Sequence, residues 1–123
     1  MQNRPIKFRV WSKIYNKFLD ESFYIDVRNI EHNDYIFQQF TGLKDKNGKE
    51  IYEGDIINFH IAGFPHAKYP EDIYNAEVYY DNEYACFMFC ESRNIENSWS
   101  MGDYGIENLE IIGNIFKNPE LTK

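Results

Sequence analysis

Turn signals recur about every 8 to 12 residues along this chain, between short apolar stretches, and that rhythm constrains its fold more than any other feature. Short apolar stretches between turns so closely set argue for about seven short strands. The clearest turn is Asp45-Lys46-Asn47-Gly48. Asn and Gly tolerate positive φ there, and the Asp carboxylate can accept from turn amides, so a hairpin tip is expected. Glu53-Gly54-Asp55 reads as a second sharp turn feeding a strand at Ile56-Ile57-Asn58-Phe59. Asp81-Asn82-Glu83 reads as a third, and residues 74–80 and 84–90 around it should form a core hairpin.

The flanking segments fit the same pattern. Ile6, Phe8 and Val10 alternate with Lys7, Arg9 and Trp11, the period of a strand with two different faces. Polar residues from Ser12 to Lys17 then permit a reversal, with Phe18-Leu19 pairing back as an N-terminal hairpin. Residues 23–27 and 35–41 read as further strands, the second ending at Gly42. Leu109, Ile111 and Ile112 lead into Gly113, and a glycine inside a strand marks a bulge or tight bend. Asn118-Pro119-Glu120 matches an N-cap, a proline at the first helical position and an acid in the first turn, which allows at most one short helical turn. Residues 61–73 and 91–105 read as loops, with Trp99 and Met101 of the latter folding back onto the barrel. The expectation is a mainly β barrel or sandwich.

A chain of 123 residues is one domain, 1–123, and is long enough to fold without a disulfide or metal. Its 10 Tyr, 10 Phe and 2 Trp exclude a disordered acidic tail, despite a formal charge of −7. No apolar run approaches the ~18 to 20 residues of a membrane span, and charges interrupt any secretory-like start. A cytoplasmic location follows. Cys86 and Cys90 lie four apart on one expected strand, about 13 Å between alpha carbons, too far for a disulfide. They read as free, buried thiols.

The string from Phe40 to Ile56, Phe-Thr-Gly-Leu-Lys-Asp-Lys-Asn-Gly-Lys-Glu-Ile-Tyr-Glu-Gly-Asp-Ile, is long and specific. With the opening Ile6-Lys7-Phe8-Arg9-Val10-Trp11 and the closing run from Ile112 to Leu121, it closely resembles the YopX protein family. The resemblance spans both ends of the chain and leaves 57–108 as the variable middle. It implies a YopX-like β-barrel, phage or prophage origin, a host-cytoplasm location and an accessory role, and it supplies no catalytic residue to carry over. Physical reading of the string agrees that it is architecture. Asp45, Asn47 and Asp55 are placed to satisfy turn amides, while Leu43, Ile51 and Ile56 supply core. A hairpin running into a Gly-Asp turn and an aliphatic strand also looks like an SH3-like barrel element, an analogy of fold alone.

Candidate chemistry is sparse, and no enzymatic activity or cofactor is expected. Counted from Asp45, the positions where a calcium loop needs Gly and Glu hold Glu50 and Ile56. His32, His60 and His66, even taken with Cys86 or Cys90, lack metal-ligand spacing, so no metal site is expected. An apolar setting would raise the thiol pKa of both cysteines, against nucleophilic use. Phosphate-loop, G-x-S-x-G and G-x-G-x-x-G motifs do not occur. No individual catalytic, cofactor-binding, metal or partner-binding residue is therefore assigned.

Charge is distributed unevenly. Residues 1–19 carry Arg4, Lys7, Arg9, Lys13 and Lys17 and no acid, whereas residues 71–110 carry ten acids and one base, Arg93. Three readings follow from that asymmetry. The favoured one is a non-catalytic protein-interaction module that forms a homo-oligomer or docks on a host or phage protein, its exposed tyrosines suiting an interface. A second is nucleic-acid binding through the basic N-terminal hairpin, with Trp11 and Tyr15 as a stacking surface; the net negative charge counts against it. A third is an acidic DNA mimic that inhibits a host enzyme, although solubility explains the same acids.

Overall fold

The computed structural model describes residues 5–20, 34–61, 73–90, 98–100 and 106–122. Among the described residues nine strands are present: β1 (Phe8–Ser12), β2 (Lys17–Phe18), β3 (Tyr35–Lys44), β4 (Glu50–Tyr52), β5 (Asp55–Ile61), β6 (Ile73–Asp81), β7 (Cys86–Cys90), β8 (Ser98–Ser100) and β9 (Ile106–Asn114). One 3₁₀ turn follows, at Pro119–Thr122. The strands form two antiparallel sheets, in the orders β2-β1-β3-β4 and β8-β7-β6-β5-β9. Both sheets curl, giving a half-barrel.

Local chemistry accounts for most of the turns. Asp45 Oδ1 accepts from the backbone N–H groups of Asn47 and Lys49, both at 2.9 Å, and Gly48 takes φ +83°, so the hairpin tip closes between β3 and β4 as its residue types require. The same device closes β6–β7, where Asp81 Oδ1 accepts from the N–H groups of Glu83 at 2.8 Å and Tyr84 at 3.0 Å. In β9, Gly113 faces Ile56 and Ile111 faces Ile57, which leaves Ile112 as the extra residue of a bulge and turns its side chain to the surface.

The core lies under the second sheet. Ile51 of β4, Ile57 and Phe59 of β5, Ala76 and Val78 of β6 and Phe89 of β7 are buried together, with Phe87, Leu109 and Ile111 packed against them. Phe59 and Phe89 meet edge to face at 4.8 Å. The expected core hairpin is thus present, although Tyr80 and Tyr84 of it are exposed.

The first sheet buries the face that hydropathy alone would not choose. On β1 the Arg9–Trp11 side turns inward, while Ile6, Phe8 and Val10 lie on the outward parity. Cross-strand pairing carries this into β3: Arg9 opposes Gln38 and Trp11 opposes Ile36, all inward, while Val10 opposes Phe37 on the outer face. Two inward partners explain the choice. Trp11 stacks on Phe116 at 5.4 Å and meets the edge of Phe18 at 5.0 Å, and Arg9 has a buried carboxylate to meet.

Three expectations are corrected. Leu43 is 41% exposed rather than core: on β3 it has the odd-numbered parity of the exposed Phe37, opposite to the buried Gln38 and Phe40. Trp11 is buried under Phe116 and Phe18, so it is not a surface on which a base could stack. The 91–105 stretch is not wholly loop, since Ser98–Ser100 pairs with β7. The expected strand at 23–27 and Met101 lie outside the described residues, as does most of the 61–73 loop.

Candidate functional site

Where the two sheets meet, Arg9 is the hub. Its position on β1 directs the guanidinium at the β4–β5 turn, which the sequence announces as Glu53-Gly54-Asp55. Nη2 donates to Asp55 Oδ1 at 2.6 Å and to the Glu53 carbonyl at 3.2 Å, while Nε donates to Gln38 Oε1 at 2.9 Å. The guanidinium is also held between two rings, 4.5 Å from the centroid of Phe18 and 4.7 Å from that of Tyr52.

The acceptors around it are fully used. Asp55, almost wholly buried, also accepts the Tyr52 N–H on Oδ2 at 2.8 Å. Asn114 Nδ2 donates to both Gln38 Oε1 and Asp55 Oδ1 at 3.4 Å, while Asn114 Oδ1 accepts from Phe116 N–H at 2.9 Å. Asn118 Oδ1 in turn accepts the Asn114 N–H at 3.2 Å. Gly54 at the turn crest has φ +82°, donates to the Val78 carbonyl at 2.8 Å and accepts from Ile115 N–H at 2.9 Å. Burial raises the Tyr52 phenol pKa, with the positive charges of Lys7 and Arg9 pulling the other way. Every partner here is satisfied by another, so the cluster acts as a staple joining β1, β3, β5 and the end of β9 rather than as a proton-transfer centre.

Beside the staple a cleft of about 300 Å³ opens between Phe18 of β2 and the β9–3₁₀ segment. Arg9 and Asp55 line it, together with Lys49, Ile112, Lys117 and Asn118. Lys117 Nζ sits 5.2 Å from the Phe18 ring centroid.

A second polar junction lies at the 45–49 hairpin tip. Besides its two local bonds, Asp45 accepts the Ile111 N–H on Oδ2 at 3.1 Å, and Lys46 N–H donates to the Leu109 carbonyl at 2.8 Å. The Lys46 ammonium pairs with Glu110 at 3.2 Å. The tip thereby occupies the outer edge of β9. Burial would raise the Asp45 pKa, but the backbone N–H bonds from Ile111, Lys49 and Asn47 outweigh it and hold the carboxyl below its usual value.

Of the residues weighed from sequence, Asp45 and Asp55 do satisfy turn amides, and each also reaches a strand far away in the chain. The Arg9–Asp55 pair was invisible in the sequence; the only signal is that both sit in the strings shared with a known family. Lys13, Tyr15 and Lys17 stand exposed on the N-terminal hairpin. His32 and His66 lie outside the described residues, and His60 is placed on β5 opposite Ile73 and Glu107. Cys86 and Cys90 are not joined in a disulfide, the first half-buried and the second buried. Among the described residues, no three His, Cys, Asp or Glu side chains are grouped to hold a metal ion.

Comparison with known proteins adds lineage. A family model described as YopX protein matches residues 16–123. The crystal structure of protein EF1440 from Enterococcus faecalis is similar at a TM-score of 0.65 and 25% identity, covering 98% of this chain and 100% of that one. The crystal structure of protein yopX from Bacillus subtilis is similar in fold at a TM-score of 0.60 and 16% identity, covering 93% and 95% of the two chains. No curated protein matches the sequence significantly.

Proposed function

The chain belongs to the YopX family, and from that premise we propose a phage or prophage accessory protein of the host cytoplasm that acts without catalysis, by binding a second copy of itself. The observation that carries this reading is the inverted first sheet. Its outer face presents Phe8, 56% exposed, and Phe37, 40% exposed, with Val10 between them and Ile6, 65% exposed, continuing the row. Ile14 and Tyr15 extend exposed apolar surface onto the β1–β2 turn, beside the exposed Lys13 and Lys17. An apolar row of this kind, rimmed by cations, is a docking surface in need of a cover.

The same chain carries a complementary partner for it. At the β6–β7 turn the exposed Tyr80 and Tyr84 flank Asp81 and Glu83, a tyrosine-bearing acidic knob of the composition that interfaces favour. The basic, apolar sheet face of one copy against the acidic hairpin of the next is a head-to-tail contact, which closes into a ring or extends as a filament. Opposite charges on the two surfaces steer and orient the approach.

Sedimentation velocity tests this reading. The wild-type protein should sediment as an oligomer whose assembly weakens with salt. Phe8→Glu with Phe37→Glu, and independently Tyr84→Lys with Glu83→Lys, should each yield a folded monomer. A wild-type protein that stays monomeric at high micromolar concentration refutes self-association.

A further inference from the structure

We propose that the cleft beside Arg9 binds a small organic phosphate, a phosphomonoester bearing an apolar or aromatic group. Its polar lining offers donors and almost no free acceptors. Asp55 is committed to Arg9, Asn114 and the Tyr52 N–H. The Oδ1 of Asn118 is taken by the Asn114 N–H, which fixes the amide and leaves its NH₂ group as the part still able to donate. Arg9 spends Nε and Nη2 on the staple and keeps Nη1 out of those bonds.

Lys49 and Lys117 add two ammonium groups to the same cleft, and among the described residues neither has a carboxylate within ion-pair distance. In a chain of net charge −7, two cations with no carboxylate at ion-pair distance among the described residues, Lys49 acting on Asp45 only at longer range, make this cleft a local reversal of sign. Two positive charges match a phosphomonoester, which carries nearly two negative charges at neutral pH, better than a carboxylate, which carries one. The bulged Ile112 is exposed and gives the cleft an apolar wall beside the Phe18 ring. A volume of about 300 Å³ is the lower end of the range for small-molecule sites, so the ligand is small and held weakly. The cleft faces the inward side of β1, opposite Phe8, so the site does not depend on self-association.

Titration of the ¹⁵N-labelled protein with adenosine 5′-monophosphate, followed by NMR, tests the proposal. Inorganic phosphate and adenosine serve as the two halves of the probe. Saturable shifts are expected at the Gly113 backbone amide and the Asn118 side-chain NH₂ group. Adenosine should produce no saturable shift there, and inorganic phosphate should bind at least about tenfold more weakly than the monophosphate, the equivalent of about 1.4 kcal/mol. The Lys49→Glu/Lys117→Glu variant changes two exposed residues, and it should retain a dispersed spectrum while losing binding by about tenfold or more. Absence of saturation, equal binding by that variant, or adenosine matching the monophosphate each overturns the site. Inorganic phosphate binding as tightly as the monophosphate overturns the organic half of the assignment.

Discussion

Replacing Gly54 by alanine separates two costs that a glycine at positive φ can hide. Gly48 and Gly54 have nearly the same backbone, φ +83° and +82°, so the left-handed strain on an alanine is common to both, about 1 kcal/mol net of the gain from a stiffer unfolded chain. Their surroundings differ. A Cβ at Gly48 meets nothing within 4 Å, whereas at Gly54 it overlaps the side-chain amide of Gln38. Gln38 is only 4% exposed, and its Oε1 accepts from both Arg9 and Asn114, so the amide cannot swing aside without breaking those bonds. Each buried donor left unpaired costs about 1–3 kcal/mol. Gly48→Ala should therefore cost about 1 kcal/mol and Gly54→Ala about 3–5 kcal/mol, a large share of the roughly 5–15 kcal/mol that holds a typical domain. Urea unfolding followed by tryptophan fluorescence and far-UV circular dichroism measures both. Adding Gln38→Ala to Gly54→Ala removes the overlap, and the pair should couple favourably by about 1–2 kcal/mol in a double-mutant cycle. Equal midpoints for Gly54→Ala and Gly48→Ala would refute the close-approach argument.

Other perturbations have equally definite outcomes. Arg9→Ala leaves the buried Asp55 carboxylate without its cation and should cost about 3 kcal/mol in urea unfolding. Arg9→Lys should restore less than half of that, because an ammonium cannot reproduce the fork to Gln38, Glu53 and Asp55 between two rings. Asp45→Asn keeps one oxygen for three N–H donors, so it should cost about 1–2 kcal/mol and speed amide exchange at Ile111. The Asp45 pKa is lowered in the fold, so its stabilisation is complete above about pH 4, the unfolded value, and fades as pH falls through the folded value. Acid titration of stability should accordingly flatten in Asp45→Asn, and an unchanged acid limb would remove Asp45 from the account. Phe116→Ala should raise solvent quenching of Trp11 fluorescence, since Phe116 is the ring stacked on it.

What could be read along the chain was whatever is settled within a few residues. The 45–48 tip, the Gly54 turn, the β6–β7 hairpin, the bulge before Gly113 and the single turn after Asn118 all follow from local backbone chemistry. What could not be read depends on partners far off in sequence. Asp45 looks complete as a turn residue, yet its second oxygen holds Ile111, 66 residues away. Arg9 and Asp55, 46 residues apart, each have a plausible solvated reading until the sheets are placed together. The facing of β1 was ambiguous for a related reason. Ile6, Phe8 and Val10 make one apolar side, Trp11 makes the other heavy, and only the Phe116 and Asp55 contacts decide between them. Leu43 failed as a core residue because apolar character alone does not give its side of β3: it lies on the odd-numbered parity of the exposed Phe37, opposite to the buried Gln38 and Phe40.

The staple also opposes the order in which the chain is made to the order in which it can close. Trp11 and Arg9 are synthesised long before Phe116, which stacks on Trp11, and Asn114, which shares the Gln38 and Asp55 acceptors with Arg9. The β9 strand that pairs with β5 likewise follows β6, β7 and β8 in the chain. Until residues 106–116 are available, Trp11 lacks the Phe116 ring that stacks on it and the β5 edge that pairs with β9 stands open. Sheet closure is thus a long-range event that waits on the synthesis of β9, the kind of topology that folds slowly and leaves strand edges exposed meanwhile. A nascent chain of this protein should depend on being held apart from its neighbours until β9 arrives.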